Sequence, residues 1–239
     1  MIRDALGLPG YIDGIDVSQV QRIDDPLAVA AAGFQWAIIK ASEGATYCDP
    51  RAIEHLAALQ GAGLLCGVYA FARVTGDPAQ QVRRAIACGT DGFHAVIVCD
   101  LESAPADWTA DRLTGWAEAF CDEVRAQGHT PVFYTYTSFA ARMQPALSRS
   151  STLAAVPLWL AQYRSLTQPW APSTSADLAW ARAPAPWGEW TMWQYSGNGG
   201  YRVPGIPMDC DRNLFRGDIT DLRNLFGYPW DRPRVLAEP

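Results

Sequence analysis

The stretch Ala95-Val96-Ile97-Val98-Cys99-Asp100-Leu101-Glu102 constrains this chain more than any other. Apolar, mostly β-branched residues run straight into two carboxylates separated by one leucine, which is how a buried strand looks when it delivers acidic side chains to an open end. Side chains alternate along a strand, so Asp100 and Glu102 share a face, with Cβ atoms roughly 6.5 to 7 Å apart, twice the ~3.3 Å rise per residue. A bland alternative is that the strand simply ends here in solvated acids. The two readings separate on what the rest of the chain brings to the same place.

What it brings is a repeated strand, loop and helix. Gly14 to Ser18 reads as a short strand ending in an acid, and Asp25-Pro26 opens a helix carrying Leu27, Val29 and Ala30. Asp is a good N-cap and Pro suits the first helical position. The same device stands at Asp49-Pro50 and Asp77-Pro78, and each helix closes near a glycine: Gly33, Gly61 or Gly63, and Gly89. Phe34 to Ala41 and Leu64 to Phe71 are the intervening apolar strands. After Glu102, Leu113, Trp116, Ala117, Phe120, Cys121 and Val124 recur at helical steps until Gly128. Pro131 to Tyr136 is a fifth strand, and Ser138 to Arg149 is expected to be one helix.

Beyond Arg149 the pattern changes. Pro157 to Tyr163, Glu189 to Tyr195 and Asp209 to Phe215 read as strands with no convincing helix between them. The expectation is an α/β fold: a single distorted TIM-like β/α barrel of five βα units followed by three strands, closed because closure removes open edges. Residues 12–227 would form the barrel, 1–11 an N-terminal segment and 228–239 a short tail. The segment Arg164 to Gly188 is rich in Pro, Ala and Ser without a periodic apolar face, and Trp170, Trp180 and Trp187 within it are candidate flat platforms for a sugar.

Composition narrows the partners. Nineteen cations against twenty-five acids, net −6, disfavour a nucleic-acid surface, and only Lys40 of those cations is a lysine. No run approaches the about 18 apolar residues of a membrane span. Met1 to Tyr11 shows no secretory signal, so synthesis in the cytoplasm is expected. The six cysteines are widely spaced without a Cys-x-x-Cys pair, which disfavours zinc; buried thiols in a reducing compartment are the expectation, with disulfides the second reading. Neither a metal nor a cofactor is expected.

In such barrels catalytic groups sit at the C-terminal ends of the strands. Those ends offer Asp16, Lys40 to Glu43, Tyr69, Asp100 with Glu102, Tyr134, Tyr163, Gln194 with Tyr195, and Asp211. Acids with aromatic walls and few cations suit proton donation and charge stabilisation on a neutral glycan.

Eight segments in order resemble one family: Asp16-Val17-Ser18, Ile39-Lys40-Ala41-Ser42-Glu43-Gly44, Gly67-Val68-Tyr69-Ala70-Phe71-Ala72, Asp100-Leu101-Glu102, Phe133-Tyr134-Thr135, Leu158-Trp159-Leu160-Ala161-Gln162-Tyr163, Trp193-Gln194-Tyr195-Ser196 and Asp211-Arg212-Asn213-Leu214-Phe215. The family is glycoside hydrolase family 25, the Chalaropsis-type lysozymes of bacteria, fungi and phage endolysins, and the resemblance covers roughly residues 12 to 217.

It implies a muramidase acting on peptidoglycan glycan strands, cutting the β-1,4 bond between N-acetylmuramic acid and N-acetylglucosamine with retention, by a substrate-assisted route; a monomer is expected unless the chain is part of a virion. Glu102 would be the general acid, Asp100 the second catalytic carboxylate, and Asp16 and Asp211 supporting acids. Tyr69, Tyr134, Tyr163, Trp193, Gln194, Tyr195, Lys40 and Glu43 would line the substrate groove. Ala70 stands where the family often has histidine, and alternation should point it away from Tyr69. Crowding by ionised Asp100 and Asp16 should raise the pKa of Glu102, while Asp100 stays ionised.

An endolysin or virion-associated enzyme acting on the cell wall fits this setting. The rival from another class is a non-catalytic peptidoglycan-binding module of a virion or envelope assembly. Chitin hydrolysis lacks its Asp-x-x-Asp-x-Asp-x-Glu signature, and a divalent cation on the acid cluster is a further alternative.

Overall fold

A computed structural model describes residues 5–90, 92, 95–165, 169–197 and 201–227. The proposed tail, 228–239, and the first four residues of the N-terminal segment lie outside the described residues. In chain order the elements are β1 Tyr11–Val17, α1 Pro26–Ala31, β2 Trp36–Glu43, β3 Tyr47–Cys48, α2 Ala52–Gly61, β4 Leu65–Phe71, α3 Pro78–Gly89 and β5 Val96–Asp100. Then follow α4 Ala110–Ala126, β6 Thr130–Tyr136, α5 Thr137–Met143, α6 Ala146–Arg149, α7 Ser151–Ala154 and β7 Leu158–Ala161. The last part holds α8 Ser175–Leu178, β8 Met192–Gln194, β9 Arg202–Val203, β10 Ile206–Asp209, β11 Asp211–Arg216 and α9 Ile219–Phe226.

The strands run β1-β11-β8-β7-β6-β5-β4-β2, and β1 also pairs with β2, so the sheet closes into an eight-stranded barrel with β3 appended to β2. The α/β barrel of five βα units and three further strands is therefore present. Seven strands are mutually parallel; β11 runs against both of its neighbours, β8 and β1. That reversal matters for the mouth of the barrel. Asp211 opens β11 rather than closing it, and the antiparallel register sets it opposite Asp16 at the end where the parallel strands finish.

Alternation divides the side chains into two layers. Inside the barrel lie Ile12, Trp36, Ile38, Leu65, Val96, Val98, Val132, Trp159, Met192 and Phe215. Outside, under the helices, lie Val68, Ala70, Ile97, Cys99, Phe133, Leu160, Trp193 and Leu214. Gly14 is required on β1 because its inward position is filled by the Trp36 indole: an added Cβ would stand 2.1 Å from that ring. At the floor, Leu222 and Phe226 of α9 join the interior cluster, and the Phe226 ring lies 6.4 Å from Trp36. Two acids cap helices as expected, Asp25 toward Ala28 N and Asp77 toward Gln80 N. Asp49 instead accepts from Gln19 N and Arg51 N, and α2 starts two residues later than its Asp-Pro suggested.

Several expectations are corrected. The helix foreseen over Ser138 to Arg149 is two helices, α5 and α6, broken at Pro145, whose ring cannot supply an N–H to the helical ladder. The hairpin β9–β10 and the two-residue β3 carried no readable period, whereas α9 was overlooked although Ile219, Leu222, Leu225 and Phe226 recur at helical steps between the Asp218 cap and Gly227. The six cysteines are not all thiols: Cys48 and Cys88 form a disulfide across 5.6 Å between Cα atoms, while Cys66, Cys99, Cys121 and Cys210 are free and buried. The bridge ties the strand after β2 to the end of α3, a pairing that forty residues of separation conceal.

The tryptophan platforms are likewise reassigned. Trp187 is buried and stacks on Phe133 at 5.6 Å, while Trp170 and Trp180 pack on Trp193 at 6.0 and 6.4 Å. Their faces are spent on the outer core, because Trp193 points outward from β8. Among the described residues no helix is long and apolar enough to cross a membrane.

Candidate active site

The inward positions nearest the barrel mouth are Asp16 on β1, Lys40 on β2, Tyr69 and Phe71 on β4, Asp100 on β5, Tyr134 on β6, Gln194 on β8, and Asp211 and Asn213 on β11. Cross-strand register joins most of them directly: Lys40 lies beside Tyr69, Phe71 beside Asp100, Asp100 beside Tyr134, Gln194 beside Asn213, and Asp211 beside Asp16. Glu102 follows just past β5. Its segment is pinned by Leu101 N donating to Tyr134 O at 3.0 Å, Thr135 Oγ1 to Leu101 O at 2.9 Å, and the Tyr136 hydroxyl to Glu102 O at 3.2 Å. The second carboxylate therefore stands on backbone as fixed as the strand itself.

Asp16 anchors a polar chain through the interior. Its Oδ2 accepts from Gln194 Nε2 at 2.9 Å and Asn213 Nδ2 at 2.7 Å. Gln194 Oε1 in turn accepts the hydroxyls of Tyr134 at 2.9 Å and Tyr163 at 2.5 Å, and Asn213 Oδ1 accepts Trp159 Nε1 at 2.9 Å. Burial raises the pKa of Asp16 to about 6; Asn213 and Gln194 oppose this by donating to the charged form, and the charge of Glu102 reinforces it.

Asp100 is only 6% exposed, and its Oδ1 has no hydrogen-bond partner among the described residues. Burial lifts its pKa far above the carboxylate range, Glu102 adds to the rise, and Lys40 pulls against it. Glu102 is half-buried and also raised, by loss of water first, with Lys40 and Arg73 opposing. The expectation that crowding would protonate Glu102 while Asp100 stayed ionised needs revision on both counts. Burial is the main cause, and in the free protein it presses hardest on Asp100. Asp211 is raised by burial and then by Asp16 and Asp209.

Lys40 and Glu43 meet through a bulge. Residues three apart on a regular strand face opposite ways, but β2 carries an extra residue between Lys40, paired with Tyr69, and Ser42, paired with Ala70. Glu43 thus returns to the inner face, where it accepts from Lys40 Nζ at 2.9 Å and from Arg73 Nε at 3.0 Å. Burial works against the Glu43 carboxylate, yet the paired Lys40 and Arg73 outweigh it and hold its pKa below the ordinary value. Lys40 Nζ also lies 5.2 Å from the Phe71 ring centre and 6.0 Å from that of Tyr69.

Hollows open on either side of β5. One, of about 620 Å³, is lined by Lys40, Glu43, Tyr47, Arg73, Gln19 and Thr75 among others; the second, of about 280 Å³, by Glu102, Ala104, Tyr136, Ser138, Phe139 and Arg142. Glu102 borders the second, and the Lys40–Glu43–Arg73 group borders the first.

The structure thus brings together Asp16, Asp100, Glu102, Asp211, Tyr69, Tyr134, Tyr163, Gln194, Lys40 and Glu43. It does not bring Trp193 or Tyr195 to the cleft. Trp193 is 0% exposed and donates to Gln162 O, and Tyr195 is buried against it in the outer layer. Alternation was the available signal, since flanking Gln194 on an inward position forces both neighbours outward. Ala70 faces the same outer layer. Asn213 and Arg73 are the partners that the sequence reading missed; Asn213 stands two residues from Asp211, the spacing that linked Asp100 to Glu102.

Comparison with known proteins places the chain by family and fold. The family model described as Glycosyl hydrolases family 25 matches residues 15–206. A protein named N,O-diacetylmuramidase from Chalaropsis is 30% identical over 231 residues, covering 90% of this chain and 98% of its own. Lysozyme M1 of Streptomyces globisporus is 28% identical over 224 residues, covering 90% of this chain and 71% of its own. Among solved structures, the bacterial lysozyme of Streptomyces coelicolor superposes with a TM-score of 0.73 at 28% identity, over 90% of this chain and 96% of that one.

Proposed function

Since the chain belongs to glycosyl hydrolase family 25 and is a glycoside hydrolase, we propose that it is an N-acetylmuramidase cleaving peptidoglycan at the β-1,4 bond between N-acetylmuramic acid and N-acetylglucosamine, with retention. The observation that carries the proposal is the pair Asp100 and Glu102, one buried and one half-buried, presented at the mouth of a closed barrel beside Asp16 and Asp211.

Glu102 is the general acid. It borders the smaller hollow and its pKa is raised, so it can carry a proton to the leaving sugar oxygen. Asp100 is the stabilising carboxylate. Burial disfavours its ionisation, and a substrate acetamido group changes that balance: an N–H donor, and the positive charge that develops at the sugar, both favour the charged form of Asp100. A charged Asp100 in turn favours a proton on Glu102, where the reaction needs it. The substrate's own N-acetyl oxygen is then the nucleophile, with Asp100 steadying the acetamido N–H. Asp16 and Asp211 support the charge balance, and Tyr69, Tyr134, Tyr163, Lys40 and Glu43 line the path of the glycan.

Glu102→Gln should lower hydrolysis of purified walls about 10²- to 10⁴-fold, the usual range for loss of a general acid, while melting no lower than the wild type at pH 7. Wild-type lysis by the variant would remove Glu102 from this role. Mass spectrometry of digested peptidoglycan identifies the bond: fragments ending in reducing N-acetylmuramic acid are expected, and reducing N-acetylglucosamine would overturn the assignment. Binding to walls without release of any reducing end would identify a binding module instead.

A further inference from the structure

Among the described residues, the two hydrogen bonds that the Asp16 carboxylate accepts both fall on Oδ2, and each donor is oriented from behind. Trp159 Nε1 can only donate, so its 2.9 Å bond obliges the Asn213 carbonyl oxygen to face it and turns the Asn213 NH₂ toward Asp16. The hydroxyls of Tyr134 and Tyr163 set Gln194 the same way through Oε1. Asn213 is 0% exposed, so whatever it contributes to the reaction passes through Asp16.

We infer that Asn213, locked by Trp159, is a positioning residue for the reaction: it fixes Asp16 Oδ2 and holds that carboxylate in its charged state within the closed site. The inference rests on the reading of Asp16 as a supporting acid of a muramidase cleft. Burial pushes Asp16 toward its protonated form, and the two amides are the donors that oppose it. The other ionisable groups around Asp16 are Asp100 and Glu102 from β5 and its exit, Asp211 and Cys210 at the start of β11, Tyr69 from β4, Tyr134 from β6, and Tyr163 beyond β7. All of them remain when Asn213 is changed, so a shift isolates the amide. Aspartate at this position would be no substitute. It would set oxygen against oxygen where the bond is now 2.7 Å, and the two acids would have to share a proton.

The test compares Asn213→Ala, Asn213→Asp and Trp159→Phe with the wild type by three readouts: melting temperature, kcat and KM on glycan strands across pH 4 to 9, and titration of the Asp16 carboxyl by ¹³C NMR. Asn213→Ala should keep KM within about twofold and lose kcat by roughly tenfold or more, as expected for a donor to a charged group. Its acid limb and its Asp16 titration should move to higher pH by about one unit, the same energy expressed as a pKa. Asn213→Asp should work best at the acid end and fail as the shared proton leaves. Trp159→Phe should shift the profile in the direction of Asn213→Ala by less.

An equal fractional loss of activity at every pH, with Asp16 titrating as in the wild type, would show a merely structural role and overturn the inference. Should Asn213→Ala not fold, an unmoved Asp16 titration in the other two variants overturns it equally. If the wild type released no muramic-acid ends, the muramidase reading would fall, while the Asp16 titration in these variants would still report whether Asn213 holds its charge.

Discussion

At the scale of single residues, the site is a concentration of carboxylates held where they cost stability. Asp16 binds its proton more tightly in the fold, with a pKa of about 6, than in the unfolded chain, near 3.8. A raised carboxyl contributes stability that is fully present below about pH 4 and is lost as pH rises through 6. At neutral pH the ionised group is therefore a burden of a few kcal/mol, at about 1.4 kcal/mol per unit. Asp100 is displaced in the same direction. Calorimetry should find that Asp16→Asn and Asp100→Asn melt no lower than the wild type at pH 7 and lose that advantage at pH 4, while hydrolysis falls in both. A variant less stable than the wild type at pH 7 would contradict this account. Exchange of stability for a charged site is expected wherever catalytic acids are crowded out of water.

Among elements, the parts legible in the sequence are those whose pattern is local. The Asp-Pro helix starts, the period-two strands and the acid-x-acid end of β5 follow from rules acting within ten residues. What was not legible depends on partners far along the chain. The reversal of β11 is set by pairing with β1, and the outward face of Trp193 by a crowd of tryptophans. Gly14 is such a case, since nothing near it in sequence explains why a strand should carry glycine. Filled by Trp36, its pocket has no room, and Gly14→Ala should destabilise the protein by about 1–3 kcal/mol or more as overpacking, read from denaturant unfolding.

The Cys48–Cys88 bridge belongs to the same class of distant partners. It fastens β3, and with it the Tyr47 wall of the larger hollow, to α3. Thiol titration of the unfolded, unreduced protein should count four cysteines, and a count of six would remove the bridge. Cys48→Ser should lower stability by about 3–4 kcal/mol, the chain-entropy value for a loop of this size.

For the whole molecule, the barrel unites a floor, a wall and a mouth that come from opposite ends of the chain. α9 closes the floor, so Phe226→Ala, although remote from every acid, should cost about 3–5 kcal/mol as a core truncation, checked by the midpoint of urea unfolding. The mouth was legible as a set of residues because eight strands could be aligned by pattern. Its wiring was not, since Asn213 and Gln194 reach Asp16 across 197 and 178 residues.

That separation has a consequence for the order of events during synthesis. β1 is among the first elements to leave the ribosome, yet one of its edges waits for β11 and its acid waits for amides from β8 and β11. Closing loops of this length delays pairing, so folding should be slow and completed after translation. A nascent chain stopped before Asp211 would hold Asp100 and Glu102 and still have no finished barrel around them.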